Sequence, residues 1–206
     1  DPEATVNPAE RASLDPEAVI TVLPCDHFIK EKDRFLKLVK KGIGIAQRGY
    51  IVTLGVPPNR PETGYGYIKI KTRHRDFCTV DKFIEKPQLR RARVFLKDKR
   101  YYWNSGVFIF RADIMLGEVS RYAKAAYKII NEIRTGESFN KLWRRLSPIS
   151  IDYAVMEHSR KIALILLRNF QRADLLLNWL KRFWARGLLS SWIWWRFLPF
   201  ATSHRL

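Results

Sequence analysis

Cysteine is almost missing from this chain. Cys25 and Cys78 are its only two among 206 residues, too few for a disulfide scaffold or a self-contained zinc site, and they point to a reducing, cytoplasmic setting. Acidic side chains are also scarce: 20 Asp and Glu stand against 38 Lys and Arg, a formal net charge of +18. That imbalance favours anionic partners such as nucleotides, nucleic acid or acidic lipid, without choosing among them. No apolar stretch reaches the roughly 18 to 20 residues of a membrane span, because Arg182, Arg186 and Arg196 interrupt the most apolar part. No basic segment leading into an apolar core opens the chain, so no signal peptide is expected. What is present suits a globular domain, with 47% hydrophobic residues in runs short enough to be strands and helices.

Taken in order, 1–17 is rich in Pro, Ala and acids and reads as a loosely held lead-in. The β-branched run Ala18-Val19-Ile20-Thr21-Val22-Leu23 predicts a strand buried on both faces of a parallel sheet. Pro24 ends it, and Cys25, Asp26 and His27 stand at its carboxyl end, where open α/β sheets bind ligands. Phe35, Leu36, Val39, Ile43 and Ala46 predict a helix over 31–47 with Gly49 as its C′ residue. A second apolar run over 50–55 completes a β-α-β order, the mark of a parallel α/β layer structure. Further strands are predicted at 65–70, 80–85 and 107–110, with a short basic helix at 88–97. Asp113 is placed to cap one long helix to about 134, and Ser150 to cap a helix over 151–158. A last strand covers 162–167.

Three clusters concentrate the chemistry. They are Pro61-Glu62-Thr63-Gly64-Tyr65-Gly66-Tyr67-Ile68, Phe83-Ile84-Glu85-Lys86-Pro87 and Trp103-Asn104-Ser105-Gly106. Gly64 and Gly66 let the backbone approach a ligand with no Cβ in the way. Glu85 can accept hydrogen bonds from sugar hydroxyls and Lys86 can neutralise a phosphate. Asn104 offers both a donor and an acceptor. Singly these are turns and strand ends; together they read as one side of a pocket for a phosphorylated sugar. Asp152 and Glu157, on one short helix, are read as structural rather than as paired catalytic carboxylates. His27 and Cys25 are read likewise, as a hydrogen-bonding and a packing residue.

With Leu23-Pro24-Cys25-Asp26-His27 before them and Ser150-Ile151-Asp152-Tyr153-Ala154-Val155-Met156-Glu157 after them, the clusters resemble the mannose-1-phosphate guanylyltransferases, or GDP-mannose pyrophosphorylases, over 18–161. The resemblance implies the nucleotide-diphospho-sugar transferase fold, a Rossmann-like α/β three-layer sandwich, here incomplete. It also implies a reaction, in which mannose 1-phosphate and GTP give GDP-mannose and pyrophosphate with Mg2+. By the same resemblance Asp26 holds the metal and, with Lys86, is catalytic. Gly66, Glu85, Lys86 and Asn104 bind the sugar phosphate, and Asp174 is the second metal carboxylate, although Arg172 and Leu176 replace the Trp and Gly that flank it in the family. GTP and mannose 1-phosphate are the expected partners, nucleic acid is not, and homo-oligomerisation is left open.

The sequence departs from that family at both ends. The family's Gly-rich loop, with its Arg and downstream Lys, is absent; that loop cradles the triphosphate through backbone N–H groups. The expected layout is therefore a partial nucleotidyltransferase domain over 1–174, weak or inactive by itself, and a basic tail over 175–206. From Ser159 onward there are nine bases, one acid and five tryptophans, a composition closer to a shifted reading frame than to a selected domain. The alternatives are a non-catalytic regulatory or binding protein of the same fold, or a basic nucleic-acid binder.

Overall fold

The last described strand explains the layering. β6 (Ile162–Leu166) is apolar at every position, and its alternate side chains enter different cores. Ile162 and Leu164 pack with Ile51, Phe83, Phe108 and Met156, while Ala163 and Ile165 pack with Val52, Leu54, Ile109 and Ile45. A strand of this kind needs a helical layer on each side. The computed structural model, which describes residues 15–24, 29, 31–134 and 138–167, supplies both.

The preceding elements are β1 (Val19–Val22), α1 (Lys32–Ala46), β2 (Ile51–Val56), β3 (Tyr67–Arg73), β4 (Cys78–Ile84), α2 (Leu89–Lys97), β5 (Tyr101–Arg111), α3 (Ala112–Tyr122), α4 (Lys124–Arg134), α5 (Phe139–Trp143) and a π-helical turn (Asp152–Met156). α1 covers the Val52–Ile165 face with Phe35, Leu38, Val39 and Ile43. Ile114 and Met115 of α3, with Met156 of the π turn, cover the other. The expected α/β three-layer sandwich is therefore present. These helical side chains are half-buried apart from Met156, whereas each fully buried aliphatic side chain of β2 and β6 contributes roughly 1.5–3 kcal/mol.

The sheet order is β1-β5-β2-β6-β4-β3, with β5 also pairing β3. β2 and β6 are parallel, Ile51 opposite Ile162, and the other pairs are antiparallel. This corrects the reading of the first strand. β1 is only half-buried and pairs β5 antiparallel, Ile20 opposite Phe110. Because β2 is also antiparallel to β5, β1 and β2 do run parallel, as the β-α-β order predicts. They are not neighbours, since β5 lies between them.

Two helix expectations change as well. The single helix expected from Asp113 to about 134 breaks at Ala123, whose φ of -125° and ψ of 55° leave the helical region. Asp113 lies inside the first turn of α3 rather than at its cap, and its carboxylate accepts from Arg111 Nη2 at 2.6 Å and from the Ile114 N–H at 2.8 Å. The helix expected over 151–158 is shorter and π-wound. Gly49 does follow α1 as expected: its φ is +87° and its N–H donates to the Ala46 carbonyl at 2.9 Å.

One irregularity positions the site. Along the β2–β5 pair, Gly55 is opposite Asn104 and Thr53 is opposite Phe108, so β5 advances farther than its partner and bulges over 104–107. Gly106, at φ +75°, takes the left-handed turn the bulge requires, a region where a Cβ is costly. Before the bulge β5 pairs β3, Tyr67 opposite Trp103; after it, β5 pairs β1. The bulge is where the long strand changes neighbours.

Candidate active site

Gly66 and Glu85, at two strand ends, and Asn104, in the bulge of β5, meet at one place. Gly66 immediately precedes β3, and its carbonyl accepts the Asn104 N–H at 2.8 Å. A Cβ on Gly66 would lie 2.6 Å from Glu85 Oε2 and 3.3 Å from Asn104 Cβ. Both side chains therefore occupy the space that any other residue at 66 would fill. Lys86 is beside them, its Nζ 3.8 Å from Glu85 Oε1, with the lysine side chain 44% exposed and the glutamate 9%. Its backbone has φ +43° and is followed by Pro87. A non-glycine residue in that region costs on the order of 1–3 kcal/mol, so the surroundings hold Lys86 against its own preference. Asp26 and Asp174, the two metal carboxylates implied by the family resemblance, lie outside the described residues, as do Cys25, His27 and the whole 175–206 tail.

The nucleotidyl transferase family profile matches residues 5–155, a span that includes all four of these positions. The chain belongs to that family. Among curated relatives, mannose-1-phosphate guanylyltransferase of Sinorhizobium fredii is 36% identical over 168 residues, 77% of this chain and 33% of that protein. The xanthan biosynthesis protein XanB of Xanthomonas campestris is 39% identical over 157 residues, 72% of this chain and 33% of its own length. The chain thus spans about a third of the length of these relatives. Two solved structures are similar in fold as well as sequence. One, described as a mannose-1-phosphate geranyltransferase from Thermus thermophilus, superposes with a TM-score of 0.71 at 30% identity, covering 77% of this chain and 47% of that one. The other, a mannose-6-phosphate isomerase from Helicobacter pylori, gives 0.68 at 34% identity, covering 78% and 66%.

In this nucleotidyl transferase chain the rim is more acidic than the sequence reading allowed. Asp152, from the π turn, accepts the Asn104 Nδ2–H at 3.3 Å. Glu157 accepts the Glu85 backbone N–H at 2.8 Å through Oε1. The two carboxylates taken as structural thus each hold a residue of the rim. Burial, reinforced by the charges of Asp152 and Glu157 and opposed by Lys86, pushes the Glu85 carboxyl up to about 7. Asp152 is also raised, first by burial, while a backbone hydrogen bond and Lys86 pull the other way. Near neutral pH Glu85 therefore exists in both protonation states and can accept from a hydroxyl or donate to one.

Thr53 was not legible as a site residue. It is fully buried in β2 and donates its hydroxyl to Asn104 Oδ1 at 2.8 Å. The available signal was a lone hydroxyl in the run Ile51-Val52-Thr53-Leu54, since a buried polar group needs a partner. Among the described residues no group of His, Cys, Asp and Glu is arranged to hold a metal ion, and no helix is long and apolar enough to cross a membrane.

Proposed function

We propose that this chain forms the sugar-phosphate side of a mannose-1-phosphate guanylyltransferase site, in which an oxygen of mannose 1-phosphate displaces pyrophosphate from GTP. The observation that carries the reading is the convergence of Gly66, Glu85 and Asn104 at one sheet rim with Lys86 beside them. The names of the relatives support the choice of sugar: the Sinorhizobium protein is a mannose-1-phosphate guanylyltransferase, and both similar structures are named for a mannose phosphate.

Each residue has a physical task. Gly66 leaves room for the Glu85 carboxyl and the Asn104 side chain to stand together at the rim. Glu85 grips a hydroxyl, and Lys86 pairs with the ester phosphate as a compact cation. Catalysis in such a displacement rests on holding the attacking oxygen in line and offsetting phosphate charge, with no covalent intermediate on the protein. Asp26 and Asp174 are proposed to hold Mg2+, for which carboxylate oxygen is the preferred donor, and the ion when bound offsets charge on the phosphates.

The test is binding of mannose 1-phosphate by calorimetry, with GTP and Mg2+ present and absent, together with backbone amide shifts by NMR. Saturable binding that perturbs Gly66, Lys86 and Asn104, and that weakens about tenfold or more in Lys86→Ala, is expected. Pyrophosphate release by the chain alone is expected to be small. Absence of binding under all conditions, or shifts confined to other surfaces, would end the assignment.

A further inference from the structure

The hydrogen bonds around Asn104 define which way its amide faces. Oδ1 receives two donors, the Thr53 hydroxyl at 2.8 Å and the Gly106 backbone N–H at 3.2 Å. A hydroxyl can adapt to either end of an amide, but a backbone N–H can only donate. The atom facing Gly106 is therefore the oxygen, and the left-handed turn at Gly106, with φ +75°, fixes the direction of that N–H. On the other side Nδ2 donates to Asp152 Oδ1 at 3.3 Å. Both acceptor positions of Oδ1 are thus filled from within the fold. One of the two Nδ2 hydrogens is used by Asp152, and the other has no partner among the described residues.

We propose that Thr53 and Asp152 act as positioning residues that lock the Asn104 amide, so that Asn104 meets its ligand as a hydrogen-bond donor and never as an acceptor. This narrows the two-sided role its chemistry alone allows. It rests on the sugar-phosphate reading for what the ligand is. With Glu85 and Asn104 both packed against Gly66, the rim presents a carboxyl next to a fixed N–H. One hydroxyl can satisfy both, accepting from Asn104 while donating to ionised Glu85. When Glu85 is ionised both roles are set, and such a site discriminates strongly against a ligand lacking that hydroxyl.

A reversed pair tests the inference. Asn104→Asp sets a carboxylate against Asp152, and the unfolding temperature and mannose 1-phosphate affinity should both fall. Adding Asp152→Asn restores a hydrogen bond of opposite direction, from residue 152 to residue 104, while Thr53 and Gly106 still find an acceptor. The double variant should regain most of the lost thermal stability but remain about tenfold or more weaker for mannose 1-phosphate, because the donor at 104 is gone. Thr53→Val, close in shape, should weaken binding with the fold intact. Wild-type affinity in the double variant, or stability no better than the two single changes combined, would overturn the lock. If wild-type chain binds no mannose 1-phosphate, the sugar reading fails, and the stability cycle alone decides the amide's orientation.

Discussion

β6 and the bulge of β5 lie within one sheet and obey opposite rules. β6 is apolar throughout, hydrogen-bonded to β2 along its length, and buried from Ile162 to Ile165. The Asn104–Gly106 bulge interrupts its ladder, needs a left-handed glycine, and carries a polar network inward to a fully buried threonine. Around it two carboxyl groups are held above their ordinary range by burial. The first region lowers the free energy of the fold. The second spends some of that margin to keep charged and polar groups where a ligand can reach them.

Breaking the first region should have the largest effect. Leu164, with no exposed surface and packed against Gly55, is a test case. Leu164→Ala should destabilise by about 2–5 kcal/mol in chemical denaturation. A cost below about 1 kcal/mol would contradict the placement of β6 at the centre.

The second region should reveal itself through pH. A carboxyl raised from 4.5 to about 7 in the folded state binds its proton more tightly there than in the unfolded chain. Its contribution is complete below about pH 4.5 and is lost as pH rises through 7, on the order of 3 kcal/mol for Glu85. Asp152, shifted the same way, adds to the slope. Glu85→Gln should flatten the decline of stability between about pH 4.5 and 7; an unchanged slope would place the buried acid elsewhere.

The smallest stability effect sharpens the comparison most. Gly66→Ala places a methyl 2.6 Å from Glu85 Oε2, the mobile end of its side chain. The carboxyl can swing aside, so the fold should lose under about 1 kcal/mol, below the usual cost of overpacking a rigid core. Mannose 1-phosphate affinity should fall much further than stability. Equal losses would make Gly66 a packing glycine and nothing more.

Several of these contrasts were already legible in the residues. The runs at 51–56 and 162–166 are apolar enough that only a central strand accommodates them, and both were expected as strands. Gly66, Glu85 and Asn104 stand out because each joins permissive or polar chemistry to a strand end. The edge position of β1 was hidden, because a β-branched run has the same composition whether it is covered on one face or two. The break at Ala123 was hidden too, as nothing in Arg121-Tyr122-Ala123-Lys124 is a helix breaker. Asp152 and Glu157 were read as structural, and each does hold a neighbour, the Asn104 amide and the Glu85 backbone N–H; a short helix could not show which neighbours those are.

The sequence by itself settled the apolar runs that become β2 and β6 and the family pattern across 18–161, because those depend on side chains near one another in the chain. Which way the Asn104 amide faces, why Glu85 holds its proton to about 7, and that Thr53 belongs to the rim were decided only in three dimensions. Each depends on groups 48 to 72 residues apart. Their hydrogen bonds and mutual charge take effect only when folding brings them together and removes the water that would otherwise screen them.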